Sequence, residues 1–148
     1  MDTIRNDQIV RAYLTKDRPS LFRILPDSTN QDINRQRYAI HAVLERTGLI
    51  KPFLYHPFKH GELLPFYHNI VQEPMWMERI IYRFECLKTN TLKEDFALML
   101  SNALSYEKAT RNTCTIKGAC KELWRTFNQA LLLLLLLPKE EQSYKMNY

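Results

Sequence analysis

Hydrophobic residues recur at intervals of three and four over most of this chain. That spacing predicts amphipathic helices, because such residues share one face of a helix with about 3.6 residues per turn. The predicted helices span residues 7–16, 19–25, 32–47, 65–72, 74–88, 91–106 and 113–137. The pattern therefore predicts an all-α fold, a single compact bundle of six or seven helices with a long C-terminal helix.

Residues that favour caps and turns separate these helices. Residues 26–31 form a polar stretch rich in N-cap residues, ahead of helix 32–47. Gly48 is predicted to adopt the left-handed conformation that often follows a helix. Pro74 is expected at the first position of its helix, and Thr91 begins a capping-box pattern. These signals make residues 1–138 one helical domain, followed by a polar tail over residues 139–148.

The segment 51–68 lacks a clean helical period. It holds five aromatic residues and three of the four histidines, with prolines interrupting any regular pattern. We expect an irregular segment whose aromatic side chains attach it to the core. Base stacking is the alternative interpretation, because proteins that bind single strands combine aromatic residues with a positive groove.

Glycine is scarce in this chain. Three glycines in 148 residues are about 2%, against an average near 7%. P-loops and dinucleotide-binding fingerprints need clustered glycines, so both are excluded. Turns with positive φ also favour glycine, so the count favours helices over sheets.

Cysteine content indicates a reducing compartment. The chain has Cys86, Cys114 and Cys120, an odd number, and no pattern of a signal peptide or glycosylation sequon. The sequence contains no stretch of about 18 apolar residues, so it predicts no membrane-spanning helix. We therefore expect an intracellular protein, cytoplasmic or nuclear.

Metal and catalytic motifs are not apparent. His56 and His60 have a nominal zinc-ligand spacing, but Pro57 between them disfavours a regular helix. Cys114 and Cys120 lie six residues apart, too wide for a standard zinc knuckle. Neither a nucleophile in a known motif nor a paired acid and base stands out, so we predict no metal, no cofactor and no enzymatic activity.

Seven consecutive leucines, residues 131–137, are the most unusual feature. With Ala130 they cover every direction around about two helical turns. Such a segment is buried on all sides, contacts a second chain, or lies on a membrane surface. It is too short to cross a bilayer, which needs about 20 residues.

Helical spacing assigns directions to these leucines. The predicted core face of helix 113–137 consists of Ile116, Cys120, Leu123, Phe127, Ala130, Leu134 and Leu137. Leu132, Leu133 and Leu136 then point away from the core, beside Gln129. We predict that these four residues form an interface with a partner protein or with a second copy of the chain.

Basic residues form a stripe upstream of the leucines. The net charge is +5, and this stripe consists of Lys108, Arg111, Lys117, Lys121 and Arg125. Such a stripe can follow phosphates, although a solvated helix face gives the same pattern.

Two functional hypotheses follow. The first is a non-enzymatic α-helical protein–protein interaction module. Its compact helical character, low glycine content and abundance of Asn and Thr are typical of small viral accessory proteins that act on a host factor. The second is a basic protein that binds RNA or single-stranded DNA through the stripe from Lys108 to Arg125.

Overall fold

The computed structural model describes residues 3–56, 66–110 and 116–136, with the side chains of the last helix described as far as Leu133. Every regular element in these ranges is helical, as the sequence predicts. The helices are α1 Thr3–Leu14, α2 Arg18–Ile24, α3 Gln31–Glu45, α4 Thr47–Ile50, α5 Tyr67–Ile70, α6 Met77–Glu85, α7 Leu92–Thr110 and α8 Ile116–Leu136. The described residues thus contain eight α-helices, where the sequence predicts six or seven.

The short helix α4 and a 3-10 turn, Lys51–Phe53, are the elements that the sequence does not predict. None of the described helices combines the length and apolar character needed to cross a bilayer.

The described residues divide into two compact units, one from residues 3–47 and 125–136 and the other from the described residues between 48 and 124. The single domain over residues 1–138 stays a prediction. The tail over residues 139–148 lies outside the described residues.

In the first unit, local capping defines the ends of the first three helices. After α1, Lys16 takes φ 59°, and the Lys16 and Asp17 amides donate to the Tyr13 and Ala12 carbonyls at 3.1 and 2.9 Å. This is a Schellman motif with lysine at the position that usually holds glycine. The Asp17 side chain then caps α2, and the Asn30 side chain caps α3.

Buried apolar side chains on α1, α3 and the second half of α8 form the core of this unit. The least exposed are Ile9, Tyr13, Ala39, Ile40, Val43 and Phe127. Arg46 connects α3 to α8 by donating to the Thr126 hydroxyl at 2.8 Å.

Two buried polar residues on α3 have structural partners. The Asn34 amide pairs with the backbone of Ser28, accepting from its N–H at 3.0 Å and donating to its carbonyl at 2.7 Å. The His41 ring stacks on Tyr13 with centroids 4.9 Å apart. Burial of the imidazole, together with the nearby charges of Arg18 and Arg37, lowers the pKa of His41 to about 3.

The second unit contains α4 to α7 and the start of α8. Its least exposed residues are Met77, Ile80, Ile81, Phe96 and Leu123. Arg83 on α6 donates to Asp95 on α7, with Nε 2.8 Å from Oδ2. Asp95 is itself buried, and its Oδ2 also accepts from the Thr91 hydroxyl at 3.2 Å.

Two predicted helix ends are wrong. Gly48 lies inside α4 and has no left-handed conformation, because α3 ends at Glu45 and a new turn begins at Thr47. Pro74 precedes α6, which begins at Met77 after the extended residue Trp76. Positive φ angles occur instead at Lys16, Phe66, Lys88 and Asn90.

Within the aromatic segment, Phe53 and Tyr67 are buried, as the core-anchoring interpretation predicts. Phe66, by contrast, is 74% exposed and does not anchor the segment. Phe58 lies outside the described residues.

Candidate interaction groove

A groove lies between α7 and the start of α8, inside the second compact unit. Its volume is about 350 Å³, within the roughly 300–1,000 Å³ range of ligand pockets. We call it the α7–α8 groove; its lining residues are Ala97, Leu100, Ser101, Leu104, Lys117, Cys120, Lys121 and Trp124.

Short side chains explain why this groove exists. On α7, Ala97, Ser101 and Leu104 follow one another at helical spacing, so they share a face. Two of these three side chains are too short to fill the space beside α8, and Cys120 is the short residue opposite. The longer side chains of Leu104 and Trp124 therefore stand as walls around a recess.

Trp124 is held in place from one side. Its ring lies nearly parallel to that of Phe96, with a 14° interplanar angle and centroids 6.2 Å apart. Phe96 is fully buried, whereas Trp124 is 36% exposed. The Lys93 ammonium lies 5.9 Å from the Trp124 ring centre, within cation–π distance. This wall is thus preformed and partly exposed to solvent.

Leu104 is the second exposed wall. The sequence assigns Leu104 to the buried stripe of α7, but 38% of its surface is exposed. The same stripe is buried earlier in the helix, at Leu92, Phe96 and Met99. Leu104 lines the groove on the same helix as Ala97 and Ser101, whose short side chains leave the space beside it open.

Cys120 forms part of the floor of the groove, and its thiol is unreactive. It is buried, and its thiol donates to the Leu100 carbonyl at 3.8 Å. Burial raises the pKa of Cys120 to about 11, with a smaller contribution from the Glu107 carboxylate. The thiol is therefore protonated at neutral pH, and a protonated thiol is a poor nucleophile and metal ligand.

The charged lining residues of the groove are two lysines on α8. Lys117 and Lys121 are both exposed and lie one turn apart. The opposite edge, on α7, is formed by Ala97, Ser101 and Leu104. The groove thus has one basic edge and one uncharged edge.

Three members of the predicted basic stripe, Lys117, Lys121 and Arg125, are exposed one turn apart on α8. Lys117 and Lys121 line the α7–α8 groove, whereas Lys108 is exposed on α7 and is not a lining residue. Arg125 is exposed on α8 and belongs to the other compact unit. Arg111 lies outside the described residues.

The predicted leucine interface is described in part. Leu132 and Leu133 are 56% and 40% exposed, and Gln129 is exposed as well, which agrees with the predicted outward direction. The side chain of Leu136 lies outside the described residues. A role for this face in association stays a prediction.

Sequence reasoning missed the groove but contained one signal for it. Trp124 falls between the core positions Leu123 and Phe127, so a large aromatic residue stands on the polar face of α8. Ala97, Ser101 and Leu104 give no comparable signal, because small residues on a helix are common in cores.

The candidate metal ligands do not form a described site. His56 packs edge-on against Trp76, with ring centres 4.6 Å apart, and His60 and Cys114 lie outside the described residues. Within residues 3–56, 66–110 and 116–133, no three His, Cys, Asp or Glu side chains cluster as metal ligands would.

A second cavity, in the first unit, is too small for a ligand. It has a volume of about 20 Å³, which is room for about one water molecule. The two arginines that line this cavity have structural partners. Arg18 pairs with Glu45 at 2.9 Å, and Arg37 donates to the Pro26 carbonyl at 3.2 Å.

Comparison with models of protein families, with curated proteins and with solved structures found no match to this chain. Its function is therefore argued from its own residues.

Proposed function

We propose that this chain is a non-enzymatic α-helical interaction protein that binds a partner protein in the α7–α8 groove. The observation that carries the proposal is the open apolar groove with Trp124 and Leu104 exposed on its walls. A few residues carry most of the binding energy in protein interfaces, and tryptophan is among the types most often found there. A partner that covers these walls would remove apolar surface from water at about 25 cal/mol per Å².

The lining chemistry supports binding over catalysis. Among the lining residues the ionisable groups are the Cys120 thiol and the Lys117 and Lys121 ammonium groups. Acid–base catalysis needs groups that exchange protons near the working pH. A thiol whose pKa is raised to about 11 does not meet this need.

Two substitutions block the groove from opposite sides. Ser101→Trp fills the recess, and Leu104→Glu places a charge on its apolar wall. Both positions are exposed, so the fold is expected to tolerate the changes. Leu87→Glu is the matched control, because Leu87 is a 48% exposed leucine that does not line the groove.

The test is quantitative affinity purification from cell lysate, with and without nuclease, followed by direct binding measurements with the purified partner. We expect Ser101→Trp and Leu104→Glu to lose a partner that Leu87→Glu retains. Circular dichroism and thermal melting establish that each variant is folded. A partner that binds both groove variants as tightly as the wild type would refute the groove as the interface. The partner's identity also tests the hypothesis that the chain is a viral accessory protein acting on a host factor.

The exposed leucines support a second interaction surface. Leu132 and Leu133 each forgo part of the roughly 1.5–3 kcal/mol that burying a leucine provides. We propose self-association through them, with Leu136 and Gln129 beside them. Replacing all three leucines with Glu should leave the fold intact and convert a dimer to a monomer in sedimentation equilibrium. A wild type that remains monomeric at high concentration would refute self-association through this face.

Binding of RNA or single-stranded DNA is the alternative function. Lys117 and Lys121 would contact phosphates, and few contacts give only weak binding at physiological salt. One face of Trp124 is already stacked on Phe96, which limits base stacking there. Submicromolar binding at about 0.15 M salt that Lys117→Glu/Lys121→Glu abolishes would favour this alternative.

A further inference from the structure

The length of the α7–α8 groove matches two turns of a helix. Its lining runs from Ala97 to Leu104 on α7 and from Lys117 to Trp124 on α8, eight residues on each helix. At 1.5 Å per residue, each edge extends over about 10 Å. A helix in the groove would present its residues i, i+3 or i+4, and i+7 over the same length.

The two edges of the groove impose different chemistry on an occupant. Lys117 and Lys121 are one turn apart on α8, so their side chains leave the helix roughly 6 Å apart along one edge of the groove. Lys93 adds a third positive charge beside Trp124. Lys93 lies on α7, one turn before Ala97, at the Trp124 end of the groove, whereas the lining residues of α7 itself carry no charge. The α8 edge therefore places two lysines along the groove, against one at the end of the α7 edge.

We infer that the α7–α8 groove binds an amphipathic helix of a partner protein. This helix has an apolar stripe, and acidic residues one turn apart lie along one side of that stripe. Apolar side chains of this helix would fill the recess between Trp124 and Leu104. Asp or Glu at i and i+4 on one flank would face Lys117 and Lys121, which fixes the direction and rotation of the helix. This inference rests on the proposed function and adds the chemistry of the partner.

The probe is a phage-displayed library of helix-favouring peptides of about 15 residues, in which the apolar and flanking positions are randomised. Selection on the full chain should enrich peptides with apolar residues at i, i+3 or i+4, and i+7. Acidic residues should concentrate on one flank of that stripe. The best peptide is then synthesised, and its affinity is measured by fluorescence anisotropy.

Charge reversal on both sides isolates the lysine contribution. Lys117→Glu/Lys121→Glu should weaken binding of the acidic peptide at least about tenfold. A peptide with its two acidic residues changed to Lys should recover affinity for this variant and lose it for the wild type. The matched control is Lys51→Glu/Lys108→Glu, because both lysines are exposed, lie outside the groove and change the net charge equally.

Three negative outcomes are distinguishable. In the first, the selected peptides bind Leu104→Glu more weakly than the wild type, but they show no acidic bias and their affinity is unchanged by Lys117→Glu/Lys121→Glu. This result would overturn the inference and leave the proposed function standing. Selected peptides that bind Leu104→Glu and Ser101→Trp as tightly as the wild type would overturn the proposed function. An equal loss in the Lys51→Glu/Lys108→Glu control would show that overall charge, and not the groove edge, drives binding, and would also overturn the inference.

Discussion

Mild acid should destabilise this protein through one buried histidine. His41 is 7% exposed and stacks on Tyr13. Burial lowers the pKa of His41 from 6.5 to about 3, with further contributions from Arg18 and Arg37. The folded protein therefore holds this imidazole neutral at pH values where the unfolded chain protonates it.

The size of the effect follows from proton linkage. Between pH 6.5 and pH 3 the unfolded chain binds a proton at His41 that the folded chain does not bind. The free energy of unfolding therefore falls as the pH falls through this window, by up to about 1.4 kcal/mol per pH unit. From pH 7 to pH 5 the accumulated loss from His41 is about 2 kcal/mol.

Urea denaturation of the wild type and of His41→Phe at pH 7 and pH 5 measures this loss. Phenylalanine keeps an aromatic ring against Tyr13 and cannot titrate, so the variant should lose about 2 kcal/mol less than the wild type. Other titrating groups are common to both proteins and cancel in the difference. His68→Phe is the matched control, because His68 is exposed, and it should behave as the wild type does.

The reasoning would be refuted if His41→Phe lost as much stability as the wild type between the two pH values. Should the variant not fold, an NMR titration of the His41 ring in the wild type provides the same test. The ring should remain neutral at pH 5, and a midpoint near pH 6.5 would contradict the burial argument.

Three further substitutions test how the helices are held. Asn34→Ala removes both partners of the Ser28 backbone and should lower the free energy of unfolding by about 1–3 kcal/mol in urea denaturation; a loss below 0.5 kcal/mol would contradict the buried pairing. Asp95→Ala removes the buried partner of Arg83 and should cost about 2 kcal/mol by the same assay, whereas an unchanged midpoint would show that the pair contributes nothing. Lys16→Gly removes the strain of a left-handed lysine and should raise the free energy of unfolding by about 0.5–1 kcal/mol in urea denaturation. A lower value than in the wild type would contradict this and would show that the hydrogen bond from the Lys16 ammonium to the Thr47 hydroxyl outweighs the strain.

Helical periodicity is a local property, and the sequence determined it well. Ile40, Val43 and Leu44 on α3 and Met77, Ile80, Ile81 and Phe84 on α6 are all buried, as their spacing predicts. On the same predicted faces Ile33 is only half-buried, and Leu87, beyond the end of α6, is 48% exposed. A side chain on a helix shares its face with residues three and four positions away, whatever the rest of the chain does. The helices and most of their buried faces are therefore encoded in short segments.

The sequence determined the backbone conformation at the helix ends less well than it determined the helices. Scarce glycine suggests few positive φ angles, yet Lys16, Phe66, Lys88 and Asn90 adopt them, and Gly48 does not. The cost of about 1–2 kcal/mol for a left-handed residue is small enough for neighbouring contacts to offset. Glycine content is therefore a weak guide to where this chain turns.

The candidate site depended on which helices became neighbours. The predicted basic stripe contains Lys117 and Lys121, but their role beside an apolar recess follows from the packing of α8 against Ala97 and Ser101. The periodicity assigns Leu104 to the stripe of the buried Leu92 and Phe96, yet Leu104 lines the groove with Ala97 and Ser101 and is 38% exposed. Periodicity assigns a side chain to a face of its helix, whereas burial depends on the side chains that another helix brings against that face.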